Sequence, residues 1–138
     1  MTPESKAAAN SAAPVALVTA GAAGVGRAIA KAYREAGWAV HVCDVDEKAL
    51  ADFLDAFPSC GATKADVSNA AAAERVVTEV LEAHGRLDAL VNNAGYGLPG
   101  TFFSTSWKEQ GDFIQVLYTA PIELAHRVLP GMAERGYG

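Results

Sequence analysis

Val15-Ala-Leu-Val-Thr-Ala-Gly-Ala-Ala-Gly-Val-Gly26 is an apolar run that breaks into closely spaced glycines and then continues as an amphipathic segment. The pattern predicts a β-strand, a tight turn and the start of a helix. Such a turn leaves unpaired backbone N–H groups and the positive end of a helix dipole facing one point, and glycines let a bulky anion approach the backbone there. A dinucleotide pyrophosphate meets that description. The literal GxGxxG spacing is absent, because the glycines are Gly21, Gly24 and Gly26, so the turn by itself also reads as a plain βα connection.

Outward from this turn, short β-type runs alternate with helical patterns. Val15–Thr19, Ala39–Cys43, Ala62–Ala65 and Leu87–Asn92 are the candidate strands, most of them apolar nearly throughout. Continuous apolarity marks a parallel sheet covered on both faces. Between the strands, Val25, Ile29, Ala32 and Ala36 share one helical face before Gly37, and Ala49, Leu50, Phe53, Leu54 and Phe57 share another before Pro58. Ser68 and Asn69 are N-cap types ahead of a third helix striped by Val76, Val77, Val80 and Leu81. Gly95 to Gly100 reads as loop, and a last helix is expected from Gln110 to Glu134, kinked or broken by Pro121. The order βαβαβαβ implies right-handed crossovers and a doubly wound α/β sheet in three layers.

The bulk properties narrow the function classes. A chain of 138 residues with 51% hydrophobic and 20% charged content is expected to form one soluble domain over residues 15–138, behind a flexible tail at 1–14. The net charge of −5 and the lack of a Lys/Arg cluster exclude a nucleic-acid partner. No apolar run reaches the roughly 18 residues of a membrane span. The Ala-rich stretch from Lys6 to Ala16 is interrupted by Asn10, Ser11 and Pro14, which argues against a signal peptide. Cys43 and Cys60 form no CxxC pair, so the expected compartment is reducing and cytoplasmic. His41, His84 and His126 lack metal-ligand spacing and are expected to be satisfied or at the surface. Trp38, Trp107, Phe102 and Phe103 are expected to pack in the core or beneath the loop.

Asp44 sharpens the reading of the glycine turn. It stands at the end of the second strand, 23 residues after Gly21, where a carboxylate can accept hydrogen bonds from ribose 2′- and 3′-hydroxyls and would repel a 2′-phosphate. NAD is therefore favoured over NADP. A competing role as a helix N-terminal carboxylate stays open, since Asp46 and Glu47 follow.

With Asp66-Val67 after the third strand and Asn92-Asn93-Ala94-Gly95 after the fourth, the chain resembles the short-chain dehydrogenase/reductase family from about Val15 to its last residue. Thr19-Ala-Gly-Ala-Ala-Gly-Val-Gly26 is similar to that family's TGxxxGxG turn, with Ala20 where the first glycine is usual. His84-Gly-Arg-Leu-Asp88 and Val128-Leu-Pro-Gly-Met132 extend the likeness. The resemblance implies a Rossmann-type fold, a nicotinamide dinucleotide cofactor, and hydride transfer between an alcohol and a carbonyl. It places Thr19, Gly21, Ala22, Ala23, Gly24, Val25, Gly26, Asp44, Asp66, Val67, Asn93, Ala94 and Gly95 at the cofactor, with Asp66-Val67 on adenine and Asn93-Ala94-Gly95 under the nicotinamide-side ribose. Asn92 is assigned to the sheet.

The departures from the family pattern concern catalysis. Its chemistry uses a serine and a Tyr-x-x-x-Lys pair, yet none of Tyr33, Tyr96, Tyr118 and Tyr137 has lysine four residues on. The last lysine is Lys108 and the last serine Ser106. An asparagine that completes the family's proton relay aligns with Leu117 in Gln115-Val-Leu-Tyr-Thr-Ala-Pro121. The expectation is an NAD-binding half without catalytic residues, ending before a fifth strand, that engages an alcohol or carbonyl only if the other half is supplied. Its Leu87–Asn92 edge would favour self-association. A non-catalytic NAD- or partner-binding protein, using the helix around Pro121–Met132, and a fragment without independent activity are the alternatives.

Overall fold

The computed structural model describes residues 12–138, so most of the expected tail, residues 1–11, lies outside the described residues. Four parallel strands stand in the order β3-β2-β1-β4: β1 Val15–Thr19, β2 Ala39–Asp44, β3 Gly61–Lys64 and β4 Ala89–Val91. Helices α1 (Gly24–Glu35), α2 (Glu47–Ala56) and α3 (Ala70–His84) form the crossovers. A 3₁₀ turn at Phe102–Ser104 follows, then α4 (Trp107–Ile114), a π-helical turn at Gln115–Thr119 and α5 (Ala120–Arg135). Pro14, expected in the tail, already meets the sheet, because its carbonyl accepts the Ala39 N–H at 2.9 Å.

Central strand β1 is buried along its whole length, which accounts for its apolar run from Val15 to Val18. One face of the sheet packs Val18, Val40 and Val42 against Ala30 of α1 and Leu50 and Phe53 of α2. The other packs Val15 and Leu17 against Val76, Val77 and Val80 of α3 and Leu124 and Val128 of α5. Each fully buried aliphatic or aromatic side chain contributes about 1.5–3 kcal/mol of transfer free energy.

Local differences from expectation have physical causes. Helix α1 buries Gly26 and Ala30 and leaves Val25, Ala32 and Ala36 exposed, so its inner face is rotated from the one expected. Gly26 sets the rotation, since a methyl there would stand 2.2 Å from the Ala20 carbonyl oxygen, and this backbone-to-backbone approach outranks apolar periodicity. Asn69 rather than Ser68 caps α3, accepting the Ala72 N–H at 3.0 Å. Strand β4 is shorter than Leu87–Asn92 because Asn93 leaves the ladder to bond the Thr19 hydroxyl. The last helix begins at Trp107, started by a capping box in which Ser106 and Glu109 exchange hydrogen bonds. Pro121 does not break it. A proline ring crowds the carbonyl four residues back and offers it no N–H, and the Gln115–Thr119 turn widens to the π pattern just before it.

The aromatic expectation holds for Trp38, half-buried edge-on to Tyr33 at 4.9 Å, and fails elsewhere. Phe102, Phe103 and Trp107 are 70%, 97% and 78% exposed. A capping box between Thr101 and Ser104 fixes the 3₁₀ turn from within, so its rings are free to point outward. Of the histidines, His126 is exposed as expected, and the other two differ. His41 is buried, with Nε2 on the Thr63 hydroxyl at 2.8 Å, yet His41 Nδ1 and His84 Nε2 find no partner among the described residues.

The amino-terminal end of the sheet is closed by buried charge. Asp88 accepts from the Val15 N–H at 2.9 Å and from Arg86 Nε and Nη2 at 2.7 and 2.9 Å, and Arg135 of α5 approaches it at 3.3 Å. Burial pushes the Asp88 carboxyl up, but the Arg86 hydrogen bonds, the Val15 N–H and the two guanidinium charges outweigh it and hold it below the usual aspartate range.

Candidate cofactor site

At the opposite, carboxyl end, strand order reverses between β1 and β4, the switch point at which open α/β sheets bind ligands. A cavity of about 280 Å³ opens there, lined by Ala20, Cys43, Asp44, Val45, Ala65, Asp66, Val67, Ala94, Gly95, Tyr96 and Val116. Of the residues expected at the cofactor, Asp44, Asp66, Val67, Ala94 and Gly95 line it.

Of the glycine turn only Ala20 lines the cavity, and Gly21 to Gly26 lead from it into α1. Gly21 is close-packed, since a methyl there would meet Val42 Cγ1 at 2.7 Å, and its N–H is spent on the Cys43 carbonyl. Gly24, with φ of +55° and open space above it, is where the chain needs glycine's freedom. The N-cap residue Ala23 offers no side-chain cap and the first turn of α1 holds no acidic residue. No side chain caps the amides from Ala23 onward, and the one carboxylate beside the turn, Asp44, bonds the Ala22 N–H before them, so these amides suit a phosphate or pyrophosphate. Ala23 and Val25 lie exposed beside it, and Ala22 and Gly26 are buried beneath.

Asp44 belongs to the turn as well as to β2. Its Oδ2 accepts the Ala22 N–H at 3.2 Å and its Oδ1 the Asp46 N–H at 3.1 Å. The N-cap of α2 is Asp46, which accepts the Ala49 N–H, so Asp44 is not that helix's capping carboxylate. Each Asp44 oxygen retains acceptor capacity toward the half-buried space beside the turn. Asp66 is held by Ser68, whose N–H and hydroxyl reach Oδ1 at 3.0 and 2.6 Å.

Thr19 and Asn93 knot the two central turns together. The buried Thr19 hydroxyl donates to the Val91 carbonyl at 3.3 Å and accepts the N–H groups of Asn93 and Ala94 at 3.0 and 2.9 Å. The Asn93 side-chain amide donates to the Thr19 and Ala20 carbonyls. Both side chains thus shape the site through backbone, while Asn92 reaches the Pro121 carbonyl at 3.4 Å.

Sequence reasoning missed Ala20, Val45, Ala65 and Val116 as cavity walls, along with Cys43, whereas Tyr96 comes from the Tyr96–Phe103 loop that the sequence offers as a pocket contributor. Val45 and Ala65 adjoin residues it did choose, so a spacing argument could have reached them; Val116 is distant in sequence, and only the fold brings it near. Cys43 is no nucleophile, because burial pushes its thiol up to about 12. Ala20 carries a left-handed φ of +48°, the one such non-glycine among the described residues. That conformation costs an L-residue about 1–2 kcal/mol. Allowing for glycine's greater unfolded-state entropy, Ala20→Gly is expected to raise stability by about 0.5–1 kcal/mol. The check is the urea midpoint; a lower midpoint would show that methyl contacts outweigh the strain.

A family model described as short chain dehydrogenase matches residues 14–138. Among curated proteins, the chain is 28% identical over 134 residues to the zebrafish (Danio rerio) dehydrogenase/reductase SDR family member 7B, covering 90% of this chain and 43% of that protein. Among solved structures, it is similar to a metagenomic short-chain oxidoreductase in complex with NADP, with 32% identity, TM-score 0.85 and coverage of 91% of this chain and 59% of the other. It is also similar to a short chain dehydrogenase/reductase from Burkholderia phymatum in complex with NAD, with 28% identity, TM-score 0.87 and coverage of 91% and 46%. The chain thus spans less than half the length of the zebrafish and Burkholderia proteins. No helix among the described residues is long and apolar enough to cross a membrane.

Proposed function

Because the chain belongs to the short-chain dehydrogenase/reductase family, whose fold binds a nicotinamide dinucleotide, we propose that its cavity takes NAD(H) in preference to NADP(H). The observation that carries the preference is Asp44, a carboxylate anchored by two backbone amides beside the uncapped start of α1. Its remaining lone pairs suit ribose hydroxyls and its charge opposes a 2′-phosphate. The pyrophosphate would lie on the amides from Ala23 to Gly26, adenine between Val45, Val67 and Val116 beside Asp66, and the second ribose over Ala94 and Gly95. Thr19 and Asn93 hold these walls in place.

Residues 15–138 would serve as the cofactor-binding part of an oxidoreductase that interconverts an alcohol and a carbonyl. Bound nicotinamide supplies or accepts the hydride. This sequence contains no Tyr-x-x-x-Lys pair, so proton transfer would need residues supplied from elsewhere; a positioned proton donor commonly contributes 10²–10⁴-fold. A second reading, an NAD-binding protein without turnover, is supported by Leu117, whose Cδ2 would lie 2.6 Å from a methyl on Gly95 and makes that wall apolar. Both free cysteines, one buried and one half-buried, fit a cytoplasmic setting.

Titration calorimetry of the 138-residue chain with NADH tests the site. Saturable binding is expected, with NADPH weaker, and Asp44→Ala should lower NADH affinity at least tenfold by removing ribose hydrogen bonds to a charged acceptor. Equal affinity for both dinucleotides in the parent chain would remove the specificity claim, and no binding by a folded chain would remove the reading altogether.

A further inference from the structure

The π-helical turn Gln115–Thr119 reaches both loops that border the cavity. Gln115 Nε2 donates to the Ser68 carbonyl at 3.0 Å across 47 residues of sequence, in a partly buried setting. Ser68 in turn places both its N–H and its hydroxyl on Asp66 Oδ1. Val116, the next residue along the turn, lines the cavity itself. On the other side, Leu117 rests against Gly95 and the Pro121 carbonyl receives the Asn92 amide.

A regular α-helix would close this turn with one residue fewer per hydrogen-bonded ring and give Gln115 and Val116 a different rotation relative to Pro121. Pro121 keeps the wide turn from reverting to that pattern, since it has no N–H to donate. Asp66 is exposed and Ser68 half-buried, while Val67 between them packs into the core; the segment's hydrogen bonds are otherwise local, and the Gln115–Ser68 bond is the hydrogen bond that ties it to the long helix.

We propose that Gln115 is a positioning residue for the dinucleotide: it acts through Ser68 to hold Asp66 and Val67 against the adenine end of the cavity while Val116 closes that end. This rests on the NAD(H) reading given above. In a relay of this kind, cutting either link releases the same segment, so the two losses do not add.

The experiment is a double-mutant cycle on the 138-residue chain with Gln115→Leu and Ser68→Ala, titrated with adenosine monophosphate and with NADH. Each single variant is expected to weaken both ligands about fivefold to tenfold, and the double variant by no more than the worse single, with thermal midpoints within a few degrees of the parent. Parent-like affinity in Gln115→Leu, or losses that multiply in the double variant, overturns the proposal. Should Gln115→Leu fail to fold, Gln115→Met, which keeps the side chain's length without the donor, takes its place: parent-like binding overturns the proposal and the adenine-side loss upholds it. A folded parent chain that binds neither ligand refutes the NAD(H) reading itself, a result distinct from parent binding that the variants leave unchanged.

Discussion

Asp88→Ala is expected to destabilise the fold by about 3–5 kcal/mol, a large share of the 5–15 kcal/mol typical of a domain. Asp88 is 3% exposed and faces Arg86, Arg135 and the Val15 N–H. Removing it leaves the Val15 N–H buried without its acceptor and two guanidiniums without the carboxylate they share. Both ends of the structure are held there, since Val15 begins the central strand and Arg135 ends the last helix. Asp52→Ala provides the contrast, because its pair with Lys48 is exposed and spaced i,i+4, and should change stability by less than about 0.5 kcal/mol. Urea unfolding of the two variants decides the matter; equal, small effects would mean that the buried cluster adds nothing. The pH sense is fixed too. A carboxyl held low in the folded state stabilises at pH above its unfolded value, and that contribution is lost as pH falls through the folded one.

Acid should weaken the fold earlier through His41. Burial, then the charge of His84, lowers its pKa from 6.5 to about 4, with Glu79 opposing. The Thr63 hydroxyl donates to Glu79, so its oxygen accepts from His41 Nε2–H, and Nδ1 is the bare nitrogen. That nitrogen is walled by Gly61, where even a methyl would stand 2.3 Å away, so an added proton meets no acceptor among the described residues. The unfolded chain takes this proton near pH 6.5 and the folded chain only near 4, so stability is full above the first value and declines between them. The decline amounts to about 3 kcal/mol. Urea midpoints measured from pH 7 to 4 should show it, and His41→Val should flatten it, since Thr63 keeps Glu79 as its acceptor. An undiminished slope in that variant would place the proton elsewhere.

The sheet was readable because most strands, β3 excepted, are largely apolar and the first two crossover helices each have a stop, Gly37 after α1 and Pro58 after α2. Of the residues chosen from the sequence, Asp44, Asp66, Val67, Ala94 and Gly95, at or just after the ends of β2, β3 and β4, line the cavity, whereas those of the Thr19–Gly26 turn stand outside its lining. Packing distances decided the rest. Apolar spacing chose Val25 for the core of α1, and the close approach of Gly26 to Ala20 turned it outward. Capping rules say where α4 can begin, but its exposed aromatic rings follow from a 3₁₀ turn that satisfies itself. Val116 reaches the cavity from a π-helical turn, and no periodicity of 3.6 anticipates a turn of another pitch.

The Thr19 hydroxyl has a consequence for the thermodynamics of binding. By tying the amides of Asn93 and Ala94 to the end of β1, it makes a loop wall part of the rigid sheet before any ligand arrives. Ordering a loop at the moment of association subtracts from affinity, residue by residue. Here that ordering accompanies folding, so the floor of the cavity is preorganised and the entropy still to be lost on capture falls on the ligand and on the exposed segment beyond Gly95.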